Sequence, residues 1–298
     1  MSRTPGAAES HSEALVEGVE PRVTEQMAGG LKHRVLEWGA RRDDRPSIVM
    51  VHGYLDCAGS FSALASQLSG SYGFHCIAAD VRGHGGTEWV GQGGYYHFFD
   101  YVADVDALVS ELGGEVDLVG HSMGGTIACY FAGAIPSAVR RLVLIEGLGP
   151  PDGSHAVLEQ ARKHLSHRRA LPRHRAVEGV SGAAKRIRSF NPRISQREAE
   201  RLAARLLADD HATWRWDPLH RARNPKPFTT AGFDPFLRAI TAPVLLVDGA
   251  ESPVDFPDLV RRRSLITDTR RVVMGGGHLL HHEDPQALAQ VIGAFLDG

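Results

Sequence analysis

Consecutive apolar residues cluster in five short runs along the chain: Ser47–Val51, Phe74–Ala79, Val116–Val119, Leu142–Ile145 and Pro243–Val247. Each is mostly apolar, with Ser47–Val51 a continuous β-branched run, and ends in glycine or polar turn residues. Such continuous runs mark strands buried on both faces. Between them the apolar spacing changes. Val102, Val105, Leu108, Val109 and Leu112 recur close to a 3.6-residue period and predict a helix over Phe99–Leu112. Further helices are expected over about Ser60–Leu68, from after Gly124 to about Ile135, over Pro257–Ser264, and over Gln286–Leu296 behind Asp284-Pro285. Leu31–Trp38 alternates weakly and reads as an early strand, and Arg271–Met274 as a late one. Strand and helix in alternation predict an α/β fold with a mostly parallel, doubly wound sheet and right-handed crossovers.

The pattern changes from Pro151 to about Ala239, where no buried strand is visible. Ala156–Arg169, Gly182–Phe190 and Ser195–Ala208 read as helices, the last opened by Ser195 with Glu198 three residues on, a capping box. Trp214, Trp216, Phe228, Phe233 and Phe236 give this segment an apolar side. It is expected to be a helical lid inserted over the sheet. The organisation read from the pattern is a disordered tail over 1–18, a first core part over 19–150, the inserted helical cap over 151–239 and a second core part over 240–298.

Composition narrows the class without deciding it. The chain has 298 residues, 43% hydrophobic and 23% charged, with a formal net charge of −2. A large core can be buried, and no polyelectrolyte partner such as nucleic acid is implied. No apolar run approaches the roughly 20 residues that span a bilayer. The first residues, rich in Ser, Ala, Gly and Glu, contain no apolar segment of the secretory kind. Cys57, Cys76 and Cys129 are widely separated and lie in apolar surroundings, which points to buried free thiols rather than disulfides or a zinc site. A cytoplasmic location is expected. The segment 151–239 holds about eighteen Lys and Arg against about nine Asp and Glu, so the remainder of the chain is acidic.

The polar motifs fall at the ends of the apolar runs: His52-Gly53-Tyr54-Leu55-Asp56, Asp80-Val81-Arg82-Gly83-His84-Gly85, Gly120-His121-Ser122-Met123-Gly124, Glu146-Gly147-Leu148-Gly149-Pro150-Pro151, Asp248-Gly249, and Gly275-Gly276-Gly277-His278. In a parallel sheet, ligands bind at the carboxyl ends of the strands. Gly-His-Ser-Met-Gly carries the chemistry. A serine at a sharp strand-to-helix turn is held in an unfavourable backbone conformation with its Oγ raised above the sheet. The positions two before and two after it must be small, because strand and helix nearly touch; Gly120 and Gly124 meet that need. The helix N-terminus then aims free N–H groups at the serine. His278, in a glycine-rich loop, can place an imidazole beside a hydroxyl. A metal reading of His278-x-x-His281-His282 lacks a supporting carboxylate or cysteine pattern, and His281 and His282 are expected on the surface of the same turn.

These motifs, in this order over about Leu31–Leu296, resemble the α/β-hydrolase family. Trp214-Arg215-Trp216-Asp217-Pro218 and the Glu146–Pro151 turn are similar to its serine-hydrolase-like subgroup. The resemblance implies a Ser, then acid, then His order: Ser122 as nucleophile, His278 as general base and Glu146 as the acid. Most of the family places the acid after the strand equivalent to Pro243–Val247, where this chain has Ser252 at the expected aspartate position. Some members place it directly after the preceding strand, where Glu146 stands. Asp248, Glu251 and Asp255 remain the alternatives. The backbone N–H groups of Tyr54 and Met123 would form the oxyanion hole. His52 would brace its loop, and Asp80, Arg82 and His84 would form a structural turn. His121 and Trp214 are the expected substrate contacts.

The implied activity is hydrolysis of a carboxylic ester or related acyl compound through an acyl-enzyme, with a small-molecule substrate and neither cofactor nor metal. The same machinery could act on a thioester, lactone, amide or carbon–carbon bond, or transfer the acyl group to an alcohol or peroxide. A non-catalytic ligand-binding relative is the reading from a different class. Relatives with a nucleophilic aspartate, the haloalkane dehalogenases and epoxide hydrolases, are disfavoured by Ser122.

Overall fold

The structure is a computed structural model and describes residues 19–91 and 93–298. The expected tail over 1–18 lies outside these. Eight strands form one sheet in the order β1-β2-β4-β3-β5-β6-β7-β8. They are β1 (Arg22–Ala28), β2 (Leu31–Trp38), β3 (Ile48–Val51), β4 (Cys76–Ala79), β5 (Val116–His121), β6 (Val139–Ile145), β7 (Val244–Gly249) and β8 (Thr269–Met274). β1 and β2 run antiparallel at one edge, and β3 to β8 are parallel. The helices are α1 (Ser62–Tyr72), α2 (Phe98–Leu112), α3 (Met123–Ala134), α4 (Val157–Arg169), α5 (Gly179–Phe190), α6 (Gln196–Leu206), α7 (Thr230–Ala239), α8 (Asp258–Arg263), α9 (Leu280–Glu283) and α10 (Pro285–Asp297).

The apolar runs are continuous because both faces of the sheet are covered. In β3, Val49 and Val51 pack with Val102 and Val105 of α2 and Ile127 and Phe131 of α3. Ile48 and Met50 point the other way, into a core with Leu64 and Leu68 of α1 and Leu288 and Ile292 of α10. Leu246 and Leu245 of β7 divide between the two cores in the same way. The period of two therefore exists, but both halves of it are apolar.

The sequence pattern gives no sign of β1. Its Val23 and Met27 are 60% and 63% exposed, because an edge strand is held by ladder hydrogen bonds to β2 on one side and buries little. The Arg22–Glu37 ion pair lies across that exposed edge.

Between β6 and β7 the chain forms α4 to α7 and an isolated bridge between Leu207 and Trp214. α5 and α6 share a separate apolar cluster that includes Ala184, Leu202, Leu206, Trp214, Trp216 and Leu279. The tryptophans lie in that cluster, whereas Phe233 of α7 is fully buried in the core beneath the sheet, with Phe228 and Phe236 packed against it. α7 reaches that position by lying directly on α3: a Cβ on Gly133 would come within 2.4 Å of the Phe236 carbonyl oxygen.

At the start of α6, Ser195 accepts the Glu198 N–H at 3.1 Å, as the capping pattern predicts. The Glu198 carboxylate does not return to the cap. It accepts from His282 Nδ1 at 3.0 Å and so ties α6 to α9. No helix among the described residues is long and apolar enough to cross a membrane.

β3 leads to β4 on one side and, after α2, the chain returns to β5 on the other. The crevice of such a reversal, at the carboxyl ends of neighbouring strands, is where open α/β sheets bind ligands.

Candidate active site

Ser122 directly follows β5 and adopts φ 54°, ψ −116°. Its N–H donates to the Ile145 carbonyl at 3.0 Å, extending the β5–β6 ladder one step past the strand. Glu146 repeats this arrangement one strand over: φ is 55°, and its N–H donates to the Val247 carbonyl at 3.0 Å. Among the described residues four non-glycines have positive φ, and three of them, Leu55, Ser122 and Glu146, stand at these strand ends. The concentration of unfavourable backbone at one place is what a held reactive geometry requires.

The glycines around Ser122 are forced by contact distance. A Cβ on Gly124 would lie 2.0 Å from the Val51 carbonyl oxygen, and one on Gly120 would lie 2.5 Å from the Gly124 carbonyl oxygen. β3, β5 and α3 meet there with no room for a side chain. This close approach is what allows a short bend to lift the serine.

His278 follows β8 in a loop pinned from two sides. The Gly276 N–H donates to Glu251 at 2.6 Å and the Gly277 N–H to Glu283 at 2.9 Å. The imidazole then bridges two strand ends: Nε2 is 3.0 Å from Ser122 Oγ and Nδ1 is 3.2 Å from Glu146 Oε2. The Glu146 side chain is 2% exposed. Its Oε1 accepts the Gly249 N–H at 2.6 Å, and its Oε2 accepts the Ser252 hydroxyl. Ser252 thus fills the position where the resemblance expects an aspartate, and its hydroxyl holds the carboxylate supplied by β6. The three alternative acids are placed otherwise. Asp248 pairs with Arg263 at 2.9 Å and Arg271 at 2.6 Å, Glu251 holds the loop, and Asp255 is exposed.

The loop after β3 lies against the serine. A Cβ on Gly53 would be 3.0 Å from His121 Nδ1 and 3.4 Å from Ser122 Cβ. Tyr54, next in the chain, and Met123, the first residue of α3, border the same cavity of about 500 Å³ as Ser122, Glu146 and His278. The opening N–H groups of α3 have no acceptor within the helix. His52 Nε2 accepts the Val81 N–H at 3.0 Å, so its Nδ1 carries the hydrogen given to the Gly53 carbonyl at 2.8 Å. This fully buried ring braces the loop after β3 against the one after β4.

The Asp80–Gly85 turn is a buried hub. Asp80 accepts from Arg34 Nε, the Ala58 N–H and the Gly86 N–H at 2.6–2.8 Å. Arg82 makes a two-pronged pair with Asp104 at 2.7 and 2.6 Å. His84 Nε2 accepts the Leu55 N–H at 3.2 Å. The Trp214–Pro218 motif docks on this turn: the Asp217 N–H donates to the Gly83 carbonyl at 2.8 Å and its carboxylate accepts from Tyr96. His220 stacks on Tyr96 at 3.7 Å and packs at a tilt against His84 at 4.0 Å, and burial pushes its pKa down to about 3.

His121 is buried under the loop of His278, and its Nε2 donates to the His278 carbonyl at 2.9 Å. His281 and His282 are buried as well, which corrects the expectation of surface positions. α9 turns inward after the loop, so His281 packs on Phe61 and His121, and His282 meets Glu198. Burial pushes the pKa of His121 and His281 far below the ordinary value. His121, His281 and Asp56 bring donor atoms within 4.8 Å of one another. His281 Nε2 and Asp56 Oδ2 are 4.0 Å apart, wider than the roughly 3.4 Å between two ligands of a tetrahedral zinc.

His121 and Trp214 both line a second cavity of about 330 Å³ that also opens on Ser122 and His278. The sequence pattern did not single out Leu55, Arg186, Phe190 or Arg221 in that lining. Arg186 and Phe190 come from α5 and Arg221 from the turn after Trp216, and nothing in their local spacing signals that they converge above β5.

Residues 46–285 match the family described as the α/β hydrolase fold. The chain belongs to the α/β-hydrolase family. Within it, this hydrolase is similar to the serine hydrolase-like protein of Danio rerio, 29% identical over 276 residues, covering 87% of this chain and 83% of the relative. It is also similar to the 3-hydroxybutyrate-oligomer hydrolase of Cupriavidus necator, 31% identical over 263 residues, 84% of each chain. Among solved structures, the thioesterase domain from the curacin biosynthetic pathway superposes with a TM-score of 0.80 at 28% identity, covering 91% of this chain and 98% of that one. These relatives support a hydrolase activity for this α/β-hydrolase.

Proposed function

We propose that the protein is a serine esterase that cleaves a carboxylic ester through an acyl-enzyme. The carrying observation is the unbroken contact from Ser122 Oγ through the His278 imidazole to the Glu146 carboxylate, at the mouth of two cavities. His278 Nε2 takes the Ser122 proton as Oγ attacks the carbonyl carbon, then gives it to the departing alkoxide. Glu146 accepts from Nδ1–H, which fixes the tautomer and stabilises the imidazolium. The N–H groups of Tyr54 and Met123 receive the negative charge that develops on the carbonyl oxygen. Removing one such donor typically costs about 10²–10³ in rate. Water then enters by the same route in reverse and releases the acid.

The two cavities give the acyl and alcohol portions separate places. Segment 151–239 acts in this reading as the cap, because Arg186, Phe190, Trp214 and Arg221 from it wall the cavity over Ser122. The likeness to a thioesterase domain supports a second reading, a thioester in place of the ester. One set of assays tests both. A fluorophosphonate is expected to label Ser122 and leave Ser122→Ala unlabelled. Matched acyl p-nitrophenyl esters and thioesters then rank the bonds. Turnover that survives Ser122→Ala would refute the mechanism.

A further inference from the structure

The cavity of about 330 Å³ above Ser122 and His278 has an unequal polar lining. Its walls are mostly apolar, from Leu55, Ile187, Phe190, Leu202 and Leu279. Into it come Arg186 of α5 and Arg221, which also borders the adjoining cavity beside Tyr54. Arg186 lies 5.8 Å from the Trp214 ring. Three other arginines of the same segment are matched with carboxylates: Arg193 with Glu283, Arg201 with Glu198, Arg215 with Asp209. Among the described residues, neither Arg186 nor Arg221 has a carboxylate partner or donates a side-chain hydrogen bond. A third donor is idle as well. Trp214 is 5% exposed and lines the cavity, and its indole N–H has no partner.

The acceptors of the lining are neutral apart from one carboxylate: His121 Nδ1 has no partner, and Asn191 also borders the cavity. Asp56 is the one carboxylate in the lining, and its oxygens already accept the Cys57 N–H and the Ser60 hydroxyl, both at 2.9 Å. Two guanidinium groups and an indole N–H, in a mostly apolar cleft whose one carboxylate is already engaged, form a site for an anion. A buried donor without an acceptor is costly, and a guanidinium matches a carboxylate or sulfate through paired N–H groups.

We propose that the substrate carries an anionic group, joined to the scissile carbonyl by a short apolar arm, which Arg186 and Arg221 receive while the arm lies on the leucines and aromatics of the cavity. This rests on the esterase reading for its catalytic part, but the recognition stands on the lining alone. The shared chemistry is an oxyanion, and it can sit on the acyl or the alcohol portion of the substrate.

The test compares p-nitrophenyl butyrate with the p-nitrophenyl monoester of glutaric acid, which places a carboxylate on the acyl side. Carboxyphenyl butyrate places it on the alcohol side. Wild type is expected to favour one charged ester over the neutral one in kcat/KM by tenfold or more, as a charge-assisted pair can supply. The better charged ester identifies the side that bears the anion. Arg186→Gln and Arg221→Gln should each lower the ratio of charged to neutral, and the double variant should bring it to about one. Added salt should lower the same ratio. Ratios near one in wild type, or ratios unchanged in both variants, would overturn the proposal.

Binding of glutarate to Ser122→Ala, followed by calorimetry, separates recognition from catalysis. Arginine-dependent binding, with no turnover of any of these esters by wild type, would refute the esterase reading and keep the anion site. Turnover with no dependence on charge would do the reverse.

Discussion

The hydroxyl of Ser252, at the end of β7, donates to Glu146 Oε2, the same oxygen that lies 3.2 Å from His278 Nδ1. The carboxylate therefore comes from β6, while the side chain at the expected β7 acid position anchors it. Ser252 Oγ in turn accepts the Val254 N–H at 3.0 Å, so its hydrogen is directed at the carboxylate.

Exchanging charge at this pair tests which residue is the acid. Glu146→Gln is expected to lower kcat by up to about 10⁴, the loss seen when a triad acid is made neutral. Ser252→Ala should cost only about tenfold, since it removes one hydrogen bond to a charged group. Ser252→Asp alone should also be harmful, because two carboxylates then share the site. Combining it with Glu146→Gln should recover activity relative to Glu146→Gln. Steady-state kinetics of the four variants decides the matter, and full activity in Glu146→Gln would remove that residue from the mechanism.

The bend around Ser122 predicts an effect on folding as well as on rate. Gly124→Ala would place a methyl group 2.0 Å from the Val51 carbonyl oxygen, which is backbone and has nowhere to go. We expect a loss of roughly 2–4 kcal/mol, in the upper range for overpacked sites, or no soluble protein. Gly114→Ala is the control: a Cβ there meets nothing within 4 Å. Denaturant melts of both variants provide the measurement.

Stability should fall on the acid side of neutrality. Burial lowers the pKa of His84, His121, His220 and His281, in the case of His220 to about 3. These rings stay neutral in the folded state, whereas in the unfolded chain they take up protons near pH 6.5. The unfolded state thus binds more protons over this interval, and unfolding gains ground as pH drops. Their contribution is complete above about pH 6.5 and is lost on descending toward the folded values. Each ring adds up to about 1.4 kcal/mol per pH unit. Urea midpoints at pH 7.5, 6.5, 5.5 and 4.5 should decline across the lower three. A flat profile would mean that these rings are accessible to protons in the native state.

Cys57, Cys76 and Cys129 are each fully buried, and burial pushes their thiol pKa values up. Native protein is expected to leave all three unmodified by a thiol reagent over minutes, and to release three equivalents once unfolded. Titration with a chromogenic disulfide measures this directly.

The contrast between Ser122 and Arg221 shows what was legible before folding. Ser122 could be found because the cost of its bend is local. Small residues must stand two positions to either side, and an apolar run must precede it. The same holds for β3 and for Leu142–Ile145 of β6, whose burial on both faces leaves unbroken apolar runs, and for Ser195 as a cap. β1 left no such trace, because an edge strand satisfies its backbone while burying little. Glu198 and His282 looked like a cap residue and a surface histidine, yet they bond to each other, because α6 and α9 meet only in the folded chain.

The sequence by itself thus determined the buried strands of the sheet, the order of their polar ends and the tight bend that carries Ser122, since these depend on steric and periodic constraints within a few residues. Only the tertiary structure decided which carboxylate meets His278, what Ser252 does there, and which arginines converge over the serine. Those pairings join residues scores of positions apart, and what selects them is the distance between elements once the sheet and its helices have packed.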